Sequence, residues 1–384
     1  MSHGFKIDKH QFKNNIVLAP MAGITDAPYR NIHLKHGVGY AVSEMVLANN
    51  QFLAQGKSAE HLQIQEIKDN NLGVPRGIQI LGHTPEDMAS LTKIIVKQNL
   101  AEVIDINMGC PAKKVVKKAA GSALMADVPL VKEILKSVIE AAGDVPVTLK
   151  MRTGVDKQNK NALDIALMAQ DLGIKAITIH GRTREDLFRG QAEYETIARV
   201  KEALEIPVIA NGDIDSVEKY LYVSDITKAD AYMIGRASQG NPWLIAKLAS
   251  ISERSKYIEP DIFEKFSLAS DHILDIANYY PEQIGVKIAR KHFIWYLENI
   301  FPSIYTAKSY NNLESERIQT PISLNSSQIN LVEDLLVRPV IGEEHILQDS
   351  KLVEHIQQWR SQFIQLVSYR ELEDFLSDCL ATLK

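Results

Sequence analysis

The sequence has very few cysteines, with only Cys110 and Cys379 among 384 residues. Two cysteines are too few for a disulfide framework, for a cysteine-ligated iron–sulfur cluster or for a cysteine-rich zinc site. So little cysteine is typical of a reducing compartment. We therefore expect a cytoplasmic protein without a bound metal.

Long apolar runs are also missing, and none approaches the length that spans a membrane. The first fifteen residues are polar and lack the apolar core of a signal peptide, so we expect neither a membrane partner nor export. The net charge is −5, and residues 303–384 hold that surplus with 12 acidic and 7 basic side chains. The rest of the chain has equal numbers of acidic and basic side chains, so it can still carry a local basic surface.

Short apolar segments rich in β-branched residues recur at even intervals through the first 250 residues. They predict eight strands: Ile16–Ala19, Tyr40–Val42, Gly77–Ile80, Val103–Ile106, Val147–Met151, Ala176–Ile179, Pro207–Ala210 and Ala231–Ile234. Stretches of helical periodicity lie between them, which is typical of parallel strands covered on both faces. Eight such units predict an α/β fold, a (β/α)8 TIM barrel over residues 1–250. The alternative is an open doubly wound sheet, but Ala19–Gly23 lacks the glycine fingerprint that such a sheet needs after its first strand.

Polar and glycine-flanked residues follow the predicted strands, on the face where barrel enzymes hold their active sites. Asn211-Gly212-Asp213 follows the seventh strand and Gly235-Arg236 follows the eighth. Backbone N–H groups beside these glycines and the guanidinium group can bind a phosphate. Each segment alone is also a common turn, so the prediction of a phosphate site depends on their adjacency.

Three more side chains at the same face suit the ring of a flavin. Lys150 ends the fifth strand, and its cation either stabilises a reduced flavin or pairs with a carboxylate. Gln79 offers a donor and acceptors to the edge of a ring. His180 ends the sixth strand and is either functional or a satisfied buried histidine.

Cys110 lies in the turn that follows the fourth predicted strand. Gly109 permits backbone angles closed to other residues and Pro111 fixes its own φ, so the position of the thiol is closely specified. A buried, inert cysteine is the plain alternative. An ordinary thiol is mostly protonated at neutral pH, and no adjacent His or Asp predicts a thiolate. The functional interpretation is therefore a proton donor.

The pattern changes after residue 250 to long helical periodicity without predicted strands. Phe263–Tyr280 and Ile284–Ile300 are candidate helices, and residues 251–384 are predicted to form a small helical domain. Ser303–Gln328 is rich in Ser, Asn, Thr and Gln and is predicted to be a mobile loop.

Six sequence blocks closely resemble the tRNA-dihydrouridine synthases, most of all their bacterial DusB branch. They are Ala19–Asp26, Asp105–Pro111, Lys150–Gly154, Ile179–Thr183, Ala210–Ile214 and Ile234–Arg236, supported by Gly109–Val115 and Arg290–His292. The resemblance covers about residues 14–301 and resumes near Trp359–Leu380. Against the family pattern, residues 303–355 are an insertion, either a flap or a partner contact. The resemblance therefore predicts the chemistry but not how the tRNA docks.

The resemblance implies an FMN enzyme that reduces the C5–C6 bond of a uridine in the tRNA D-loop, with NADPH or NADH as reductant. It implies tRNA as the partner, and we expect a monomer with Cys110 as the proton donor. The implied flavin-binding residues are Pro20, Met21, Ala22, Gln79, Lys150, His180, Asn211, Gly212, Asp213, Gly235 and Arg236. The residues implied to bind the RNA or its target base are Asn107, Lys113, Lys114, Arg152, Arg182, Lys287, Arg290 and Lys291.

Two other classes of function share parts of this pattern. A flavin barrel acting on free pyrimidines, similar to dihydroorotate dehydrogenase, would share the fold, the FMN and the cysteine but would not need a basic helical region. A catalytically silent RNA-binding protein would keep only the fold. The intact Cys110, Lys150 and phosphate segments argue against the silent protein.

Overall fold

A closed barrel of eight parallel strands forms the first part of the chain. The computed structural model describes residues 4–49, 73–309, 322, 324–337, 346 and 348–383. A hairpin of β1 (Lys6–Ile7) and β2 (His10–Gln11) precedes the barrel. The barrel strands are β3 (Ile16–Leu18), β4 (Tyr40–Leu47), β5 (Gly77–Leu81), β6 (Val103–Met108), β7 (Val147–Arg152), β8 (Ile177–His180), β9 (Val208–Asn211) and β10 (Ala231–Ile234). Strand β10 pairs with β3 and closes the ring, so the predicted TIM barrel is confirmed.

Helices alternate with the strands, as the sequence predicts. They are α1 (Ala27–Lys35), α2 (Pro85–Lys97), α3 (Lys113–Val116), α4 (Val128–Ala142), α5 (Ala162–Leu172), α6 (Glu195–Ala203), α7 (Val217–Thr227) and α8 (Pro242–Glu253). Thr84, Asp127 and Asn241 cap their helices through side-chain oxygens, and each helix has a proline in its first turn. Both features favour a helix start, so local chemistry fixes where the chain turns back along the barrel.

The amino-terminal end of the barrel is plugged by the β1–β2 hairpin. Phe5 stacks on Phe12 with ring centroids 4.7 Å apart, and Phe12 lies 4.7 Å from the ring of Tyr40. These rings pack with Val17 and Val103 in one buried cluster inside the barrel. A plug at this end leaves the opposite end, here called the carboxyl rim, as the face for ligands.

A helical region with its own buried core follows the barrel. It contains β11 (Tyr257–Ile258), α9 (Ile262–Tyr279), α10 (Glu282–Ile300), α11 (Pro302–Ser309), α12 (Ser326–Leu335), β12 (Leu336–Val337), α13 (Ser350–Gln365) and α14 (Tyr369–Leu383). Phe293 of α10 stacks on Phe363 of α13 with ring centroids 3.9 Å apart. The sequence predicts no strands here, and that prediction is wrong because β11 and β12 form a short parallel pair. Within the described ranges, no helix combines the length and apolarity needed to cross a membrane.

The prediction of a continuous loop over Ser303–Gln328 is wrong at both ends. Helix α11 forms at the first end because Tyr305 is buried and its hydroxyl donates to the carbonyl of Ile356. At the other end, Asn325 and Gln328 form a reciprocal capping box that starts α12. Residues 310–321 and 323 lie outside the described residues. Tertiary packing and capping thus override a polar composition.

Helix α12, which lies within residues 303–355, packs along the outside of the barrel. Leu331, Val332 and Leu335 of α12 are partly buried against the barrel core. They lie beside α8, whose far end reaches the amino-terminal side of the barrel, where Asn14 donates to Glu253 at 2.6 Å. Helix α12 therefore lies against the barrel wall, whereas α11 packs in the core of the helical region.

The helical region is joined to the barrel through α1. Tyr29 of α1 lies 5.9 Å from His272 and 5.6 Å from His292, measured between ring centroids. Its hydroxyl also lies 2.8 Å from Oγ of Ser238, beyond β10. The contact places the helical region beside the rim where β3 and β10 meet.

Candidate active site

A buried hydrogen-bond chain crosses three neighbouring strands below the carboxyl rim. Asn107 donates to Oε1 of Gln79 at 2.7 Å, and Gln79 donates to Oδ2 of Asp105 at 2.7 Å. Thr148 donates to the other oxygen of Asp105, also at 2.7 Å. Burial raises the pKa of Asp105, while these donors oppose the shift. The chain fixes the rotamers of Gln79 and Asn107 at the rim.

The chain ends at the turn that carries Cys110. Oδ1 of Asn107 accepts hydrogen bonds from the backbone N–H groups of Gly109 and Cys110, each at 3.0 Å. The carbonyl of Cys110 accepts from N–H and Oγ of Ser122, at 3.1 and 2.9 Å. Gly121 has a φ of +61°, and a Cβ there would lie 2.8 Å from that carbonyl. The backbone of Cys110 is thus held from both sides, while its side chain remains partly exposed.

Lys150 lies on the strand next to this turn. Its ammonium donates to Oδ1 of Asn211 at 3.0 Å, and Asn211 donates to the carbonyl of Met233 at 2.8 Å. Burial lowers the pKa of Lys150 to about 8, although the carboxyl group of Asp105 opposes this shift. A lysine in this setting is a positive charge aimed across the rim.

A group of charged residues lies beyond β8, β9 and β10. Arg182 is buried and binds Asp213 with both terminal nitrogens, at 2.9 and 2.6 Å. Arg236 reaches the same carboxylate at 3.2 Å but keeps 44 % of its side chain exposed. The hydrogen bonds from Arg182 help to hold the pKa of Asp213 below its usual range, against the effect of burial. Asp213 therefore orients two guanidinium groups, and its predicted phosphate contact stays a prediction.

His180 lies among four cationic side chains. Burial lowers its pKa well below the ordinary value, and the nearby charges lower it further; these are Lys150, Arg152, Arg182 and Arg236. The imidazole is therefore neutral at physiological pH. So many cations at one rim make a site for an anionic ligand. Within the residues that the structure describes, no cluster of three or more His, Cys, Asp or Glu side chains could hold a metal ion.

The side chain of Arg152 connects two loops of the rim by hydrogen bonds. Its Nε donates to the carbonyl of Gly109 at 2.8 Å, and its Nη1 donates to the carbonyls of Thr183 and Leu187, each at 2.7 Å. The side chain is almost completely buried. Its predicted contact with RNA stays a prediction, whereas its contact with the cysteine turn is direct.

The sequence interpretation missed Phe188. This ring is 56 % exposed and lies near two guanidinium groups, with Cζ of Arg152 at 5.4 Å and Cζ of Arg236 at 5.5 Å from its centroid. His180 lies 6.4 Å away, measured between ring centroids. A lone aromatic in the polar segment Thr183–Gly190 was the available signal. An exposed aromatic ring at a cationic rim can stack on a planar ligand.

The residues predicted to bind RNA fall into separate groups. Lys113 and Lys114 are exposed on α3, directly after the cysteine turn. On α10, Lys287 is exposed, but Arg290 donates to the carbonyl of Leu366 at 2.9 Å. Lys291 donates to the carbonyl of Gly23, in the loop after β3. The three cations of α10 therefore have different surroundings, and their implied contacts with RNA stay a prediction.

Comparison with known proteins identifies the family. Residues 17–335 match the sequence model of the dihydrouridine synthase (Dus) family. The tRNA-dihydrouridine synthase B of Pasteurella multocida (strain Pm70) is 47 % identical over 315 residues, 82 % of this chain and 93 % of that protein. Proteins with the same name from Vibrio vulnificus (strain CMCP6) and Pseudomonas aeruginosa PAO1 are each 44 % identical over 82 % of this chain, and over 96 % and 93 % of their own lengths. The chain belongs to the dihydrouridine synthase family.

Proposed function

We propose that this protein reduces the C5–C6 double bond of a uridine in the tRNA D-loop, with FMN as its cofactor and NADPH or NADH as reductant. One observation carries the proposal: the thiol of Cys110, the partly buried ammonium of Lys150 and the half-exposed guanidinium of Arg236 share one rim. Reduction of a polarised double bond by a phosphate-bearing cofactor needs an acid, a cation and an anion-binding group. Relatives that carry the name tRNA-dihydrouridine synthase B support the substrate.

The donors along the rim fit the distribution of charge in FMN. Gln79 and Lys150 lie at the end that suits the ring, while Gly235 and Arg236 lie at the end that suits the phosphate. Asn211 connects the two ends because it accepts from Lys150 and precedes the glycine turn. A Cβ on Gly235 would meet no atom closer than 3.8 Å, so the backbone there is open to a ligand. These residues would hold an FMN whose chemistry, after reduction by the nicotinamide, would be to supply the hydride for C6 of the uracil ring.

Other residues of the loop after β3 complete this pocket. Pro20, Met21 and Ala22 form its wall, and Met21 lies beside Gly235, with Sδ 3.9 Å from the place of a Cβ there. His180 faces the pocket as a neutral imidazole, so it can offer a hydrogen bond without opposing Lys150.

Cys110 supplies the proton for C5. A hydride added at C6 leaves negative charge on the other side of the double bond, and an acid must quench it. The Asn107 and Ser122 hydrogen bonds fix the backbone from which the thiol projects, so its direction is preorganised. Lys150 and Arg152 place positive charge near this turn, on the side where negative charge develops in the reaction.

The target base must leave the stack of the folded tRNA to reach Cys110. Phe188 provides an exposed face on which an extruded base can stack. Lys113 and Lys114, just past the cysteine turn, are placed to neutralise the flanking phosphates. We assign catalysis to residues 1–250 and further tRNA contacts to residues 251–384, in a cytoplasmic protein.

A defined tRNA transcript tests the proposal. Purified protein is mixed with NADPH, FMN and the transcript, and the nucleosides are mapped by mass spectrometry. One uridine of the D-loop should gain two mass units, and the protein should be isolated with flavin absorbance. Uracil and orotate, offered alone, should remain unreduced. Reduction of the free pyrimidines with no change in the tRNA would favour the free-pyrimidine enzyme, and a colourless, inactive protein would favour the silent binder.

A further inference from the structure

The peptide of Gly23 is held from both sides by charged side chains from distant parts of the chain. Its N–H donates a hydrogen bond to Oε1 of Glu44, on β4. Its carbonyl accepts from the ammonium of Lys291, on α10 of the helical region. Gly23 follows directly on Pro20–Ala22, the proposed wall of the flavin pocket. The helical region thus reaches the cofactor side of the rim.

An irregularity in β4 presents Glu44 to this loop. Strand β4 pairs with β5 through Val42 and Met45, and the register shifts between these two residues. The hydroxyl of Ser43 donates to the carbonyl of Glu44 at 2.8 Å inside this bulge. A bulge redirects side chains relative to a regular strand. The sequence predicts that the strand ends at Val42, and the structure continues it to Leu47 with this bulge inside.

The ammonium of Lys291 lies on the side of Gly23 where other residues carry a Cβ. Gly23 has a φ of +72°. Outside the glycine and its two chain neighbours, Nζ of Lys291, at 4.0 Å, is the one heavy atom of the described residues within 4 Å of the place of a Cβ. The side chain is half-buried, and the carboxyl groups of Asp26 and Glu44 favour its charged form against the effect of burial. The ammonium is therefore drawn to the loop by one carbonyl and two carboxylates.

A second contact from the helical region holds the end of the same loop. The hydroxyl of Tyr280 donates to Oδ2 of Asp26 at 2.9 Å, while Oδ1 accepts from the N–H of Tyr29 at 3.0 Å. Within the loop, Oγ1 of Thr25 accepts from the N–H of Met21. Hydrogen bonds from the helical region therefore fix the loop at Gly23 and Asp26. A movement of either residue would displace Met21, which is hydrogen-bonded to Thr25 between them.

We infer that Lys291 is a positioning residue of the flavin site, which acts with Glu44 on the Gly23 peptide and so sets the Pro20–Ala22 wall. This inference rests on the proposed function. It gives the helical region a task beyond RNA binding, because the region also shapes the pocket for the cofactor. A loop that is bonded at both peptide groups keeps the pocket preorganised.

The test separates binding of FMN from binding of tRNA. FMN dissociation constants are measured by fluorescence, and flavin reduction by NADPH is followed in stopped flow without tRNA. Lys291→Met should weaken FMN binding about tenfold and slow reduction, because a charge-assisted hydrogen bond is lost. Lys291→Arg should stay within about twofold of the wild type, since it keeps a charged donor. Lys136→Met, an exposed lysine on α4, is the matched control and should change neither value.

Glu44→Gln keeps the shape of the side chain and serves as the second variant should Lys291→Met fail to fold. It should weaken FMN binding. Because both side chains hold Gly23, the loss of binding free energy in the double variant should be smaller than the sum of the two single losses. If both variants bind and reduce FMN as the wild type does, and only the KM for tRNA rises, Lys291 is an RNA contact and the inference is overturned. A wild-type protein that binds no FMN would instead refute the proposed function.

Discussion

Asn107 fixes the backbone of Cys110, because its side-chain oxygen accepts the Cys110 N–H at 3.0 Å. The other end of the same amide donates to Gln79, which donates to Asp105 on the strand of Asn107 itself. The orientation of the cysteine turn is therefore set by buried strand residues of the barrel rather than by the loop alone. A rigid strand frame is what a proton donor needs if it is to meet one carbon of a base.

Replacement of the thiol tests this role directly. Cys110→Ala should keep its FMN but reduce tRNA about 100-fold more slowly or worse, because general acid catalysis contributes a factor of this order. Single-turnover formation of dihydrouridine by pre-reduced enzyme measures the step. Cys379→Ala, in the core of the helical region, is the control and should turn over as the wild type does. Wild-type turnover in Cys110→Ala would remove Cys110 from the acid role.

The phosphate end of the site is tested at Arg236. Arg236→Ala should raise the FMN dissociation constant at least about tenfold, since a charge-assisted contact to the phosphate is lost. Riboflavin, which has no phosphate, should bind the variant and the wild type equally. Arg199→Ala, an exposed arginine on α6, is the control for loss of charge. An equal loss for FMN and riboflavin would place Arg236 away from the phosphate.

The lysines after the cysteine turn should contribute to the electrostatic part of tRNA binding. The double variant Lys113→Gln/Lys114→Gln should bind tRNA more weakly and show a shallower dependence of log K on log salt, by about one to two units of slope. Filter binding or fluorescence anisotropy over a salt series measures the slope. The pair Lys132→Gln/Lys136→Gln on α4 removes the same charge elsewhere. Equal slopes for both double variants would mean that α3 does not contact phosphate.

Much of the site follows from the barrel, and the barrel follows from local patterns. Apolar, β-branched segments mark the strands, so Lys150, His180 and Asn211 are placed on one rim by the closed topology alone. The position of Cys110 also follows from a local pattern, because the Gly–Cys–Pro turn leaves its backbone little conformational freedom.

The rest of the site depends on contacts without a local signal. Lys291 and Gly23 are 268 positions apart, and the family resemblance implied only an RNA contact for Lys291. Glu44 faces the loop only because β4 contains a bulge. Helix α11 forms in a polar segment because Tyr305 is buried against α13. Such contacts are set by tertiary packing, which a single sequence does not encode in any short pattern.

Lys150 carries a prediction about pH and stability. Its pKa is about 8 in the folded protein, against an ordinary value of 10.5. Between these values the unfolded chain binds more protons, so stability should rise as the pH increases through this window. Below pH 8 the charged lysine costs the fold on the order of 3 kcal/mol. Lys150→Met should therefore raise the melting temperature at pH 7 and remove the increase above pH 8. An unchanged pH profile would mean that Lys150 titrates normally.

The same titration should govern the affinity for FMN. Only protonated Lys150 offers a positive charge to the flavin, so the dissociation constant of the wild-type apoprotein should increase as the pH rises above about 8. Lys150→Met should bind FMN more weakly at pH 7 and show a flat profile across the same range. Lys136→Met should reproduce the wild-type curve, because its lysine is exposed on α4. A wild-type slope that persists in Lys150→Met would assign the titration to another group and leave Lys150 without its proposed contact to the ring.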